Sequence, residues 1–268
     1  MPRVLSIFRR PRRERRFQRG VYLLPGMFTV GNMFCGWASI VFAMRGDYAT
    51  AAPLIGFAMI LDTLDGRIAR MTGTSSDFGV EFDSLADVIS FGVAPAVLVF
   101  SWGLESLGRF GWAAGFLYVT ATAIRLARFN IQGKGGDRRY FVGLPSPPAA
   151  GVLAGTVYAY PGGLDNVVAS ASALAIVLVA AGLMVSRIRY RSFHTLIPGR
   201  RQPSLVLLVV AGVIAAIASN PPVVLALMAY TYLASGLIGL VISRVRRRQR
   251  TEEQLQPQQE PRRDRSAS

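Results

Sequence analysis

The feature that most constrains this chain is the separation of its charge from its apolar residues. Between residues 21 and 244 the sequence breaks into apolar runs of about 17–25 residues, the length that carries a helix across the hydrocarbon of a bilayer. Nearly all of the charge lies at the two ends and in a few short loops. A soluble core of this size would interleave charge at helical period. The pattern therefore predicts an all-α membrane protein with about eight transmembrane helices around a cytoplasm-facing polar cavity. The expected spans are 26–44, 49–71, 83–102, 111–129, 146–161, 166–186, 204–219 and 222–243. Gly46-Asp47, Pro161-Gly162-Gly163 and Asn220-Pro221-Pro222 supply turn residues between them.

The distribution of basic residues sets orientation. Lys134, Arg138 and Arg139 fall in one set of loops, with Arg187, Arg189, Arg191, Arg200 and Arg201. The opposite set holds Arg45 and Arg109 beside Asp47, Glu105 and Asp165. An even number of spans places both basic tails and the Thr72–Phe82 loop in the cytoplasm. Three regions follow: a basic cytoplasmic tail over 1–20, a transmembrane domain over 21–244, and a polar, disordered cytoplasmic tail over 245–268. The apolar run after the first tail has no small-residue cleavage site, so a retained tail is expected and not a signal peptide.

Composition then excludes several classes. The net charge of +15 flanks apolar spans, which reads as orientation at an anionic membrane surface and gives no nucleic-acid partner. Cys35 is the only cysteine, so no intrachain disulfide exists, and His194 is the only histidine. A two-histidine metal motif is impossible. His194 reads as an interfacial loop residue.

The polar residues that need explaining lie in LDTLDGRIARMTGTSSDFGVEFDSLADVISFG. Asp62 and Asp65 are three apart and share one helix face; Asp83 and Asp87 are four apart and share another. The short Thr72–Phe82 connection, with Gly73, Ser75, Ser76 and Gly79, makes the two helices antiparallel neighbours, so the pairs can face each other. Each charge at bilayer depth costs about 2.5–3.5 kcal/mol on insertion scales, and mutual repulsion adds to that. Arg67 and Arg70 offer at most two compensating charges. Oxygen ligands without histidine or cysteine suit hard cations, Mg²⁺, Mn²⁺ or Ca²⁺. Four carboxylates can hold two such ions about 3.5–4 Å apart, an arrangement suited to phosphoryl displacement. Gly66, Ala69 and Gly73 leave room for a ligand, or for close helix packing.

The array Asp62-x2-Asp65-Gly66-x2-Ala69-Arg70-x8-Gly79-x3-Asp83-x3-Asp87 fixes eight residues over 26 positions and resembles the signature of the CDP-alcohol phosphatidyltransferases. FTVGNMFCGWASI, EFDSLADVISFGVAPA, ARFNI, GLPSPPAA and RIRYRSF narrow the resemblance, over residues 22–200, to the membrane CDP-diacylglycerol–serine O-phosphatidyltransferases. The soluble class of phosphatidylserine synthase uses paired histidine-lysine motifs, which a single histidine excludes.

The resemblance implies metal-dependent transfer of a phosphatidyl group from CDP-diacylglycerol to L-serine, releasing CMP, by an enzyme of the cell membrane that is commonly a homodimer. It implies that Asp62 and Asp83 bridge two divalent ions, that Asp65 and Asp87 complete one site each, and that Asp87 also takes the proton from the attacking hydroxyl. Gly66 and Ala69 would admit the cytidine, Arg70, Ser76 and Gly79 would lie at the nucleotide and its phosphates, and Thr29 and Asn32 would border the pocket.

A serine carboxylate calls for a fork of donors, which arginine supplies. The candidates are Arg125, Arg128, Arg187, Arg189 and Arg191, with Asn130 and the Gly143–Pro148 loop assisting. Glycerol 3-phosphate or an inositol phosphate is the alternative acceptor, because a phosphate also calls for arginines. A non-enzymatic channel or transporter is a weaker alternative: its carboxylates would recur along a route, whereas these cluster at one membrane face.

Overall fold

The computed structural model describes residues 13–73, 76–133, 140–186, 189–191 and 203–234, with side chains at 26–73, 76–131, 143–186, 208 and 211–234. Helix α1 spans Arg13–Met44. Gly46, at φ 77°, turns the chain back, and Asp47 caps α2 (Tyr48–Thr72) by accepting from the Thr50 N–H at 3.1 Å. Gly73, left-handed at φ 62°, ends α2 and donates its N–H to the Ala69 carbonyl. Ser76 then caps α3 through a 3.0 Å bond from the Gly79 N–H. A left-handed stop followed at once by a serine cap makes the α2–α3 hairpin.

Helix α3 runs from Asp77 to Leu107, beginning several residues before the expected 83, because Ser76 supplies the cap. It is not uniform. Val88–Val93 and Phe100–Leu104 are π-helical, and Glu105–Leu107 closes in a 3₁₀ turn. Helices α4 (Arg109–Gly133), α5 (Ser146–Ala159), α6 (Val167–Val185), α7 (Pro203–Ser219) and α8 (Pro221–Ala234) follow. A short antiparallel ribbon pairs β1 (Tyr140–Val142) with β2 (Arg189–Arg191), placing Tyr140 opposite Arg191 and Val142 opposite Arg189. The ribbon is a local addition to the helical fold: two loops between helices meet and use their backbone groups on each other.

Among the described residues, four helical stretches are long and apolar enough to cross a membrane: Gly26–Met44, Asp77–Leu107, Arg109–Ile131 and Val167–Val185. Eight spans are expected, and the last of them, 222–243, runs past the described residues. Helix α2 carries Asp62, Asp65, Arg67 and Arg70 toward its C-terminal end, and α5 and α7 are shorter, at 14 and 17 residues. The outward surface is nonetheless apolar along α1 and α4. Met27, Phe34, Trp37, Phe110, Trp112 and Phe116 are all exposed, an arrangement for lipid and not for water.

The core joins α1 to α2 and α3, α4 to α6, and α2 to α5, around Ile55, Phe91, Leu98, Tyr118, Leu153 and Met184. Helices α1 and α3 touch at Gly36. A Cβ there would lie 2.5 Å from Ser90 Oγ and 2.8 Å from Ser90 Cα, so only glycine admits this approach.

Candidate active site

The α2–α3 hairpin brings its two pairs of aspartates together. Asp62, Asp83 and Asp87 each offer a carboxylate oxygen, and these oxygens lie within 4.8 Å of one another. Asp62 neighbours Asp87, and Asp65 neighbours Asp83, the crossed pairing that antiparallel helices produce. Asp65 is 4% exposed and Asp87 9%. Asp65 lies beside this group of three, next to Asp83.

Helix α1 holds this cluster in place. Thr29 Oγ1 donates to Asp65 Oδ2 at 2.8 Å, and Asn32 Nδ2 to Asp87 Oδ1 at 3.4 Å. One helical turn separates the two donors, so a single face of α1 steadies one carboxylate from each helix of the hairpin. Ser90, in the first π segment, donates to the Asn32 carbonyl at 3.0 Å. The resemblance implies that Thr29 and Asn32 border the nucleotide pocket; among their contacts are these two aspartates.

The donor set fits a hard divalent cation. All the ligands are carboxylate oxygens. Among the described residues, Asp83 Oδ1 is buried with no hydrogen-bond partner, and so is Asn32 Oδ1. An orphaned buried carboxylate oxygen is costly unless something positive completes it. Asp62, Asp83 and Asp87 could hold such an ion, with Asp65 beside them.

Arg125 is the basic residue that faces the cluster. Its field reaches both Asp62 and Asp87. Its Nη1 donates to Ser146 Oγ at 2.5 Å, and its guanidinium lies 5.9 Å from the centroid of the Phe129 ring. Ser146 opens α5 behind Pro145, at the end of the GLPSP segment. Tyr232, on α8, is close enough to interact with Arg125 electrostatically. Ser146 lay inside a loop that sequence reasoning named; Tyr232 had no signal in the sequence, because an aromatic residue in an apolar run reads as lipid-facing surface.

The other expected residues are distributed as follows. Gly66 has open space where a side chain would begin, Ala69 is half-buried and Arg70 is exposed. Ser76 and Gly79 bond to each other as the cap of α3. Arg128 donates to the Val185 carbonyl at 3.2 Å, at the C-terminus of α6. Asn130 donates to Ser84 Oγ at 2.9 Å and Glu81 Oε2 at 3.4 Å. Both are thereby engaged away from Arg125, although spacing put Arg125 and Arg128 on one face. Arg189 and Arg191 lie on the ribbon. Arg187 and His194 fall outside the described residues, as do residues 1–12 and 235–268.

A paired-carboxylate hairpin on apolar helices, steadied from a neighbouring helix and bordered by a buried guanidinium, has the ligands for a hard cation and so suits chemistry on phosphate esters. The model of the CDP-alcohol phosphatidyltransferases matches residues 22–187, and the chain belongs to that family.

Among its relatives is a CDP-diacylglycerol–serine O-phosphatidyltransferase of Helicobacter pylori, 42% identical over 179 residues, covering 65% of this chain and 73% of the relative. An archaetidylserine synthase of Methanothermobacter thermautotrophicus is 37% identical over 169 residues, 62% of this chain and 69% of the relative. The protein named CDP-diacylglycerol–serine O-phosphatidyltransferase in Mycobacterium tuberculosis H37Rv is 41% identical over 142 residues, 50% of this chain and 49% of the relative.

Proposed function

We propose that this protein transfers the phosphatidyl group of CDP-diacylglycerol to the hydroxyl of L-serine, giving phosphatidylserine and CMP. The observation that carries the reading is the cluster of Asp62, Asp83 and Asp87 with the orphaned Asp83 oxygen. The names of the relatives support serine as acceptor. Asp62, Asp65, Asp83 and Asp87 would hold two divalent cations, Mg²⁺ or Mn²⁺. What such ions supply when bound is stabilisation of the negative charge that grows on the departing CMP.

The chain's own groups do the rest. Asp87 takes the proton from the serine hydroxyl. The freed oxygen bonds to the lipid-side phosphorus, the pyrophosphate bond breaks, and CMP leaves with the electron pair. Asn32 and Thr29 keep Asp87 and Asp65 aimed. The open space at Gly66, with Ala69 on the next turn, admits the nucleotide beside α2, and Arg70, Ser76 and Gly79 lie at its phosphates. Arg125 orients the serine carboxylate through charge-assisted hydrogen bonds. Arg187, Arg189 and Arg191 are further candidates for the acceptor's carboxylate, and Arg128 and Asn130 brace the Arg125 side. The diacyl tails stay in the bilayer while the headgroup reacts at its edge.

The chain crosses the cell membrane eight times, with both ends and the site facing the cytoplasm, and works as a homodimer. Incubation of purified protein with CDP-diacylglycerol, Mn²⁺ and each alcohol tests the assignment: phosphatidylserine is expected from serine. Product from an inositol phosphate or glycerol 3-phosphate, with none from serine, would reverse it.

A further inference from the structure

Asn32 meets the carboxylate cluster with one half of its amide engaged and the other half unused. The residue is 0% exposed, and its Nδ2 donates to Asp87 Oδ1 at 3.4 Å. An ionised carboxylate only accepts, so the nitrogen is the amide atom that must stand on that side. Oδ1 shares a carbon with it and lies next to Asp87 as well. This oxygen is buried, and among the described residues no donor reaches it. The backbone that carries it is held. Ser90 Oγ donates to the Asn32 carbonyl at 3.0 Å. A Cβ at Gly36 would stand 2.5 Å from Ser90 Oγ, and one at Gly31 would stand 3.3 Å from Leu61 Cδ1. Around Asn32, helix α1 thus presses on both helices of the hairpin.

We propose that Asn32 Oδ1 is a ligand of the divalent cation held by the aspartates, a neutral amide oxygen from a third helix added to the carboxylates of the hairpin. The proposal rests on the cation reading of the site above. Asp83 Oδ1 is orphaned in the same way, and Asn32 and Asp83 both adjoin Asp87. A single N–H of a substrate satisfies one such oxygen, whereas a cation satisfies several at once. Hard cations take about six or more oxygens, amide carbonyls among them. Carboxylates alone fill such a shell only by adding like charge; an amide oxygen fills a place in it without adding to the repulsion among the aspartates. The nitrogen of Asn32 fixes Asp87, and its oxygen binds the ion that Asp87 shares.

Mn²⁺ bound to the full-length protein in detergent tests this, with asparagine carrying ¹³C at its amide carbon and aspartate unlabelled. Electron–nuclear double resonance detects the ¹³C nucleus bonded to a coordinated oxygen. A ¹³C coupling to Mn²⁺ is expected in the wild type and should vanish in Asn32→Leu, which keeps the approximate shape and removes both polar atoms. The Kd for Mn²⁺, titrated by the paramagnetic signal of the free ion, should rise about tenfold to a hundredfold in that variant, the usual cost of losing a group that holds or orients a metal ligand. A wild-type protein that binds Mn²⁺ without the coupling overturns the proposal and leaves Asn32 as a brace for Asp87. A coupling that survives in Asn32→Leu overturns it too, by giving the signal to another asparagine. Should Asn32→Leu not fold, the wild-type spectrum decides alone. Failure of the wild type to bind Mn²⁺ at all would instead overturn the cation reading beneath.

Discussion

Asp87 is the residue on which the site converges. It shares a carboxylate cluster with Asp62 and Asp83, takes a hydrogen bond from Asn32, and feels the field of Arg125. Its position follows from spacing four along α3, which turns it to the same side as Asp83. Replacing it by asparagine keeps the shape and removes both the charge and the basicity. Asp87→Asn should lower the rate of CMP release by a factor on the order of 10² to 10⁴, the usual range for loss of a general base, with the protein still folded. Stopped assays of CMP release, beside a size-exclusion profile in detergent, check this; turnover near wild type would remove Asp87 from the chemistry. Thr29 and Asn32 entered only through the family resemblance, as the border of a nucleotide pocket. Their partners were not legible, because a sequence does not say which helix face meets which. The same limit separated Arg125 from Arg128: spacing three put both on one side of α4, but one meets Ser146 and the other the end of α6.

At the scale of elements, the hairpin was readable from the short Thr72–Phe82 connection and the two aspartate pairs, but the start of α3 at Asp77 was not, because Ser76 reads as a loop residue until its cap is seen. The π-helical segments in α3 were not, since a π turn leaves no local signal when its cause is packing against another helix. Val88–Val93 begins immediately after Asp87, and in it Ser90 sits under Gly36. Single π-turns recur at functional sites, and this one couples the line of α1 to the aim of Asp87. Gly36→Ala forces α1 away from Ser90 and should cost about 1–3 kcal/mol, as overpacking does. A lowered unfolding temperature together with reduced turnover is expected, and an unchanged protein would show that the contact has slack.

The ribbon and the GLPSP segment form a second element that the sequence only hinted at. Gly143 has φ 89°, and a Cβ there would lie 2.4 Å from the Met184 carbonyl oxygen, while the Leu144 N–H donates to the Leu183 carbonyl at 3.0 Å. Gly143→Ala therefore meets both a left-handed backbone and a backbone clash. It should raise the KM for serine more than the KM for CDP-diacylglycerol, because the strain falls beside Ser146 and away from the aspartates. Steady-state kinetics with each substrate varied in turn checks this; equal effects on both would place the segment outside acceptor binding.

For the whole molecule, membrane residence was legible from the segregation of charge, and the exposed aromatic residues of α1 and α4 agree with it. The number of crossings was harder to read. Helix α2 trades apolar length for the charges of the site, and α5 and α7 are short, so sidedness rests on the loop arginines. In a Cys35→Ala background, Arg45→Cys should react with an impermeant thiol reagent from outside intact cells, and Asp77→Cys only after permeabilisation. Labelling on the reverse sides would invert the proposed topology.

The central claim is that the aspartate hairpin moves a phosphatidyl group onto serine. The most direct measurement is the stoichiometry of products from purified protein, CDP-diacylglycerol and labelled L-serine, with Mn²⁺ or Mg²⁺ and with the divalent ion chelated. The account predicts phosphatidylserine and CMP in equal amounts, lost on chelation, restored by returning the metal, and absent in Asp87→Asn. Serine left unlabelled in the lipid fraction, while another alcohol is taken up, would contradict it.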